Sequence, residues 1–459
     1  MIKLIKNEYY KLLHKKSTYI MLGIILIFVI LTNIIYKKMN EPRINNFYYS
    51  EEIKSLKKEL NKNITDSEKA NLSARLAEME YLNLLDNNYN SIYYEFISEK
   101  LYQYYDELYV KKYNNKKLLE QINEYKEKIS QDDWKFFVNL KLNNFNNVLN
   151  NMDKNNIVYK QNEYMKELNE YRLKNNVSFS KGYLNQAIIN LEELIGSKIA
   201  YENAKTENER NQYKDAYRNF KINEYILKNK EDINNGSSIR AIFKNFFVEY
   251  LFLILVFTIM IAGSSFSEEF NKGTIKNLLT TPHNRSQIYV AKFITVIGII
   301  PLVTLVTVIF ELIVGGITFG FSSLSIPIVD YNFKINSLEI MNIWHYLGLN
   351  FIYLLPKIIL LTTLAFALSI IICNTGASIV ITICGFLGSN IINLLATRNN
   401  YKFLKYFVTP NWDLTHLFFG GTSPYNLSTT HSIIICSVYF LIMIIVSYII
   451  FIKKDVKNI

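Results

Sequence analysis

Apolar residues in this chain gather into long runs, and the polar stretch between the first two runs follows a different rhythm. Uncharged runs cover Tyr19–Tyr36, Tyr250–Phe266, Phe293–Phe310, Gly376–Thr397 and Ser432–Ile452, and Trp344–Cys373 carries a single charge, Lys357. A helix needs about 20 apolar residues to cross a bilayer, and each run reaches or nearly reaches that length. Six membrane spans are therefore predicted. The first is too long in its apolar core to be a cleaved signal peptide, and no A-x-A site follows it.

Between the first two runs the punctuation disappears. From Arg43 to Thr281 there is no proline, and from Ile24 to Lys181 there is no glycine. Sheets and long loops need such residues, so their absence predicts long helices. Leu72, Leu76, Met79, Leu82 and Leu85 recur at three- and four-residue steps, the spacing of one helical face, and Thr65 with Glu68 makes a capping box ahead of them. Tyr94, Ile97, Leu101, Tyr105 and Leu108 repeat the spacing, and polar joints at Tyr113–Lys117 and Asn150–Asn156 separate the helices. The expected fold class is an all-α polytopic membrane protein of six transmembrane helices. Residues 1–36 form an interfacial helix and the first span, 37–240 a large helical ectodomain, and 241–459 five further spans with a loop at 267–292.

Charge settles the expected orientation. The chain of 459 residues has a formal charge of +11, which in a soluble protein would point to nucleic acid. Its location excludes that partner, because residues 37–240 hold 33 Lys and Arg against 31 Asp and Glu. The surplus sits in short segments beside the spans, where basic residues mark the cytoplasmic side. With the N-terminus inside, the inner segments carry 12 Lys and Arg and the short outer loops carry 4. Both termini are then cytoplasmic and residues 37–240 extracellular, in a plasma membrane. The abundance of Asn, Ile, Lys and Tyr suggests a bacterium with an AT-rich genome. Cys373, Cys384 and Cys436 lie in or beside the spans and offer neither a disulfide framework nor a metal site.

Two segments carry candidate function. Met1–Lys16 places Ile2, Ile5, Tyr9 and Leu12 on one helical face, with Lys3, Lys6, Lys11 and Lys15 largely elsewhere. That is the pattern of a helix lying on the inner leaflet with its lysines toward lipid phosphates. The second segment follows the second span, from Ser267 to Ser286 and on to Lys292. Gly273 permits a sharp turn, Thr274 can cap a short helix through Leu279, and Pro282 stops it. Asn284 and Gln287 then open the next helix in capping-box fashion. A short charged helix held between two membrane helices is suited to passing force from a cytosolic partner.

This second segment resembles the coupling loop of the ABC-2 type permeases of ATP-binding-cassette exporters, of the form E-x3-G-T-x-K-x-L-L-x2-P-x2-R with a Lys at the next span. Glu269, Gly273, Thr274, Lys276, Leu278, Leu279, Pro282, Arg285 and Lys292 stand in those places, preceded by Glu268. The basic N-terminal helix, the segment Pro410-Asn411-Trp412-Asp413-Leu414 and the terminal Phe451-x2-Lys454-Asp455 are also similar to the family. The resemblance covers about 1–36 and 244–459, whereas the large ectodomain departs from the commonest members. It implies a permease that is not itself an enzyme. The chain agrees in lacking a G-x4-G-K-[ST] loop. ATP and Mg would be bound by a separate ATPase subunit, a second permease copy or paralogue would complete the unit, and Glu268–Arg285 would sit in the ATPase groove. The exported substrate would be amphiphilic or peptide-like, with antimicrobial-peptide or bacteriocin export or immunity as the context suggested by the ectodomain.

Within the spans Glu311 and Lys357 are the conspicuous charges, and such residues usually face a partner or a cavity. Two placements are open: the two pair with each other, or each lies at the outer interface. In the latter case Pro356 would be the first residue of a shorter helix. Gly315-Gly316 and Gly385-x2-Gly388 suit close helix contact. The alternative function is a scaffold or receptor resembling phage-infection-protein and type VII secretion accessory proteins, which would act without an ATPase.

Overall fold

The computed structural model describes residues 1–39, 46–84, 91–179, 182–276, 282–399, 402–421, 425 and 427–454. By contacts the chain divides into two compact units, residues 1–40 with 233–459, and residues 41–232.

The unit 41–232 is built of helices: α3 (Asn46–Leu60), α4 (Asp66–Leu84), α5 (Ser91–Tyr109), α6 (Lys116–Ser130), α7 (Trp134–Asn150), α8 (Ile157–Lys174), α9 (Tyr183–Asn203) and α10 (Glu207–Asn229). Consecutive helices pack on one another, as short connections require. The start of α4 is capped as the sequence predicts: Thr65 N–H donates to Glu68 Oε2 at 2.9 Å and Glu68 N–H to Thr65 Oγ1 at 3.3 Å. Thr206 and Glu209 repeat the arrangement at α10. An aromatic core holds the middle of the unit, where Phe137 meets Tyr93 edge-on at 5.2 Å and Tyr125 at 5.6 Å between ring centroids. Arg172 is fully buried beside it, with Nη1 donating to Asn185 Oδ1 at 2.7 Å and the guanidinium 4.6 Å from the Phe179 ring centre.

The other unit holds α1 (Ile2–Leu13), α2 (Lys16–Met39), α11 (Ile239–Lys244), α12 (Phe246–Ser264), α13 (Ser267–Asn271), α14 (Arg285–Phe319), α15 (Ile343–Ile371), α16 (Thr375–Asn399) and α17 (Thr429–Lys453). Among them α2, α12, α14, α15, α16 and α17 are long and apolar enough to cross a membrane. The most apolar stretches of α12 and α15 are each 61% buried inside the chain, against 17% for α16 and 11% for α17. The first pair is therefore the centre of the bundle, and the second turns its apolar surface outward. One aromatic knot ties α14, α15 and α17 to the turn after α12: Phe266 lies 4.6 Å from Phe451 and 5.5 Å from Phe366, and Tyr289 lies 5.4 Å from Phe366.

Three local findings differ from the sequence reading. Pro356 lies inside α15 rather than at the start of a shorter helix, an arrangement membrane helices tolerate because neighbours satisfy the freed carbonyl. Ile2 is 82% exposed and Leu4 and Glu8 are buried instead, so the seated face of α1 is rotated from the purely apolar one. Between α14 and α15 the chain forms an antiparallel hairpin, β1 (Ile328–Asn332) with β2 (Ser337–Met341). Arg240 fastens that region, its Nη2 donating to Pro327 O at 2.6 Å and its Nε to Ile326 O at 3.2 Å.

Candidate functional site

The segment after α12 leaves the bundle under firm control. Ser267, fully buried, donates to Gly263 O at 2.5 Å and lies 2.7 Å from Thr375 Oγ1. One turn of helix, α13, follows, and Gly273 then takes φ +66°, a left-handed conformation that β-branched residues resist. Ile275 is fully buried and pins the far side of the turn. Lys272, Gly273, Thr274, Lys276 and Pro282 are exposed. Leu278 and Leu279 lie outside the described residues, so the expected helix through Leu279 does too. The start of α14 is as read from the sequence, with Asn284 N–H donating to Gln287 Oε1 at 3.3 Å.

Beneath this segment lies a charge cluster that the sequence does not announce. Lys292, in α14, is only 3% exposed, yet its Nζ lies 2.9 Å from Glu8 Oε2, 2.8 Å from Glu269 Oε1 and 3.1 Å from Ser265 O. Lys11 reaches the same carboxylates, 2.9 Å from Glu8 and 3.8 Å from Glu269. Glu268 is paired with Lys15, and more loosely with Lys272 at 3.8 Å. Glu8, Glu268 and Glu269 thus face the ammoniums of Lys11, Lys15 and Lys292. Burial disfavours the charged form of Glu8, but Lys292 and Lys11 outweigh it and hold its carboxyl below the ordinary range. Burial likewise opposes the charge on Lys11, and the carboxylates of Glu8 and Glu269 overcome it, raising that ammonium above its usual value. A cavity of about 90 Å³ adjoins the cluster, lined by Glu8, Lys11, Ser265, Glu269, Lys292 and Thr295 among others.

The residues of the loop pattern therefore divide by task. Glu269 and Lys292, at its two ends, are joined to each other and to α1. Arg285 also turns inward: Nη1 donates to Ile452 O at 2.8 Å and Lys454 O at 2.9 Å, closing the carbonyl end of α17 as a basic residue suits. The exposed tip of Lys272, Gly273, Thr274, Lys276 and Pro282 remains for a partner. Helix α1 is clamped to α14 by packing as well, because a Cβ on Gly298 would collide with the Tyr9 hydroxyl.

Glu311 and Lys357 are not brought together. Lys357 Nζ binds Asp413 Oδ2 at 3.0 Å, so the Pro410–Leu414 segment supplies its partner. Burial works against the Asp413 charge, but Lys357 and then Thr415 hold that carboxyl below its usual range. Asn411 and Trp412 beside it are buried and seat the segment. Glu311 is fully buried and bonded to Tyr250 and Asn33. Gly315 packs under Ile239, whereas a Cβ on Gly385 or Gly388 would meet open space. Among the described residues no group of three or more His, Cys, Asp or Glu is placed to hold a metal ion.

The family described as "Protein of unknown function (DUF2705)" matches residues 213–457, from within α10 to the end of α17. The chain belongs to that family. The DUF2705 match contains Glu269, Lys292, Glu311 and Lys357 but not α1, which contributes Glu8 and Lys11. "Uncharacterized protein YhcI" of Bacillus subtilis (strain 168) is 26% identical over 250 residues, 53% of this chain and 78% of that protein. "Uncharacterized membrane protein YdbK" of the same organism is 25% identical over 206 residues, 45% of this chain and 78% of that protein. No solved structure matches. With six apolar helices of spanning length and a membrane protein among its relatives, this DUF2705 chain is a multi-pass membrane protein.

Proposed function

We propose that the chain is the permease subunit of an ABC-2 type exporter. In this reading it moves an amphiphilic or peptide-like substrate outward, with energy from a separate ATPase that binds ATP and Mg. The observation that carries the reading is the junction of Glu269 with Lys292 at 2.8 Å. It closes the two ends of the resembling loop into a stiff base and leaves Lys272, Gly273, Thr274, Lys276 and Pro282 exposed at its tip. A push on that tip is delivered to α12, α14 and α1 together, because all three meet at Lys292.

The positive-inside count puts this junction and both termini in the cytoplasm and the helical unit 41–232 outside. Lys3 and Lys6 of α1 are exposed and would rest on inner-leaflet phosphates. The outward apolar faces of α16 and α17 suit lipid or a second permease copy. The enlarged ectodomain suggests antimicrobial-peptide or bacteriocin export or immunity as the substrate context.

The test is reversal of the two exposed lysines, Lys272→Glu with Lys276→Glu, in the full chain expressed together with a candidate ABC ATPase subunit. Exposed pairs are worth about 0–1 kcal/mol each, so both are changed. Loss of ATPase co-purification and of transport-linked resistance, at normal protein level, is expected. Full resistance in the double variant would favour the scaffold reading.

A further inference from the structure

Glu311 is 0% exposed and lies where α2, α12 and α14 meet, eight residues before the Phe319 end of its helix. Its Oε2 accepts the Tyr250 hydroxyl at 2.6 Å, and Asn33 Nδ2 reaches Oε1 and Oε2 at 3.2 and 3.1 Å. Asn33 also donates to Val29 O at 2.9 Å. Gly315, one turn on, leaves the room for the carboxyl group, since a Cβ there would come within 2.6 Å of Oε1. Every one of these partners is neutral. Among the described residues Glu311 forms no ion pair with a Lys, Arg or His.

A carboxylate buried in a membrane span without a counter-charge is costly, and such groups pair, bind an ion or take up a proton. The charged groups around this one are committed elsewhere. Arg240 of α11 holds the carbonyls of Ile233, Ile326 and Pro327, and Lys357 of α15 holds Asp413. The other titratable neighbours, Tyr250 and Glu249 of α12 and Tyr36 of α2, supply no positive charge. The Tyr250 hydroxyl fills the space beside Oε2 at 2.6 Å and leaves no gap there for a metal ion. A tyrosine hydroxyl donates or accepts, so the contact survives gain and loss of that proton.

We propose that Glu311 is a proton-binding site in the membrane core, seated by Tyr250 and Asn33, and that the bound proton joins α2 to α12 and α14. The step is simple association: a carboxylate oxygen takes a proton from water and no other bond changes. A polar ladder lies beside the site, with Asn245 Nδ2 donating to the Tyr36 hydroxyl at 3.3 Å and that hydroxyl donating to Glu249 Oε1 at 2.9 Å. Glu249 adjoins Tyr250, and Tyr36 lies one turn beyond Asn33. The site requires no ATPase partner and stands apart from the coupling reading.

Infrared spectra of the full-length protein in nanodiscs at neutral pH test this. The wild type should show the carbonyl band of a buried protonated carboxylic acid, lost in Glu311→Gln and kept in Glu249→Gln. Glu311→Gln preserves the neutral hydrogen-bonding shape and should melt with the wild type. Tyr250→Phe, which leaves the acid in place, should move the band without removing it. Identical acid bands in wild type and Glu311→Gln would overturn the proposal, as would a band unmoved by Tyr250→Phe. A sodium-dependent rise in melting temperature that Glu311→Gln abolishes would replace the proton with a metal ion.

Discussion

Lys292 Nζ lies 2.9 Å from Glu8 Oε2, although 284 positions separate the two residues. Around that bond an N-terminal helix, the end of one span and the start of another share a set of charges sheltered from water. Breaking a buried pair by removing one partner costs about 3–5 kcal/mol, whereas replacing both with apolar groups is often neutral. Lys292→Met should therefore lower the melting temperature of the purified full chain sharply. Adding Glu8→Met and Glu269→Met should restore part of the loss. Equal melting of wild type and Lys292→Met would show that the cluster contributes nothing.

Acid should release α1. The Glu8 carboxyl is held below its ordinary value of 4.5, so the folded state favours its charged form. The stability this contributes is fully present above that ordinary value and is lost as pH falls through the lower folded value. Protease access to α1 should stay flat from neutral pH down to the carboxylate range and rise below it. Glu8→Gln should make access high and independent of pH throughout, and an acid-induced rise of unchanged size in that variant would remove Glu8 from the account.

Gly273 separates strain from crowding. Its φ is +66°, and a Cβ there would meet nothing within 4 Å, so only backbone preference opposes a side chain. Asn visits this region readily, whereas a β-branched residue pays about 1–2 kcal/mol or more. Under the exporter proposal, Gly273→Asn should keep transport-linked resistance and ATPase co-purification, and Gly273→Val should impair both with protein level unchanged. Equal behaviour of the two variants would show that the turn is not needed.

Arg285 acts as a clasp on α17. Arg285→Met leaves the carbonyls of Ile452 and Lys454 without their donor, a loss of about 1–3 kcal/mol. Carboxypeptidase should then trim the C-terminus of the folded protein faster than in the wild type. An unchanged trimming rate would return Arg285 to the list of residues free for a partner.

The helical unit supports one more expectation. Residues 45–235 expressed alone should give a strongly helical circular dichroism spectrum, because Phe137, Phe179 and Trp134 close a core within the unit. A spectrum dominated by coil would refute it.

What the sequence disclosed is what short-range physics governs. The six spans follow from run length, the Thr65–Glu68 box and the Asn284 start from local donors and acceptors, and the Gly273 turn from the one residue type that suits it. The cluster at Lys292 carries no such signal. Glu8 reads as part of a polar face until Lys292 lies across from it, and a contact over 284 positions has no local trace. Lys357 drew attention to Glu311, the other charge among apolar residues, while its partner waited in Asp413 beyond the next span. The hairpin Ile328–Met341 leaves no sequence signal because its strands are five residues each, too short to stand out against the apolar runs on either side.

The Glu8–Lys292 bond also sets an order of events during synthesis. Glu8 precedes Lys292 by 284 positions, and at roughly 5–20 residues per second the ribosome reaches Lys292 on the order of 15–60 s later. Glu268 and Glu269, made earlier, can already engage Lys15 and Lys11, but Glu8 gains its Lys292 partner only once α14 is made. Removal of α1 would strand Lys292 without its Glu8 partner after α14 is made, so the truncated product should be less stable than the full chain.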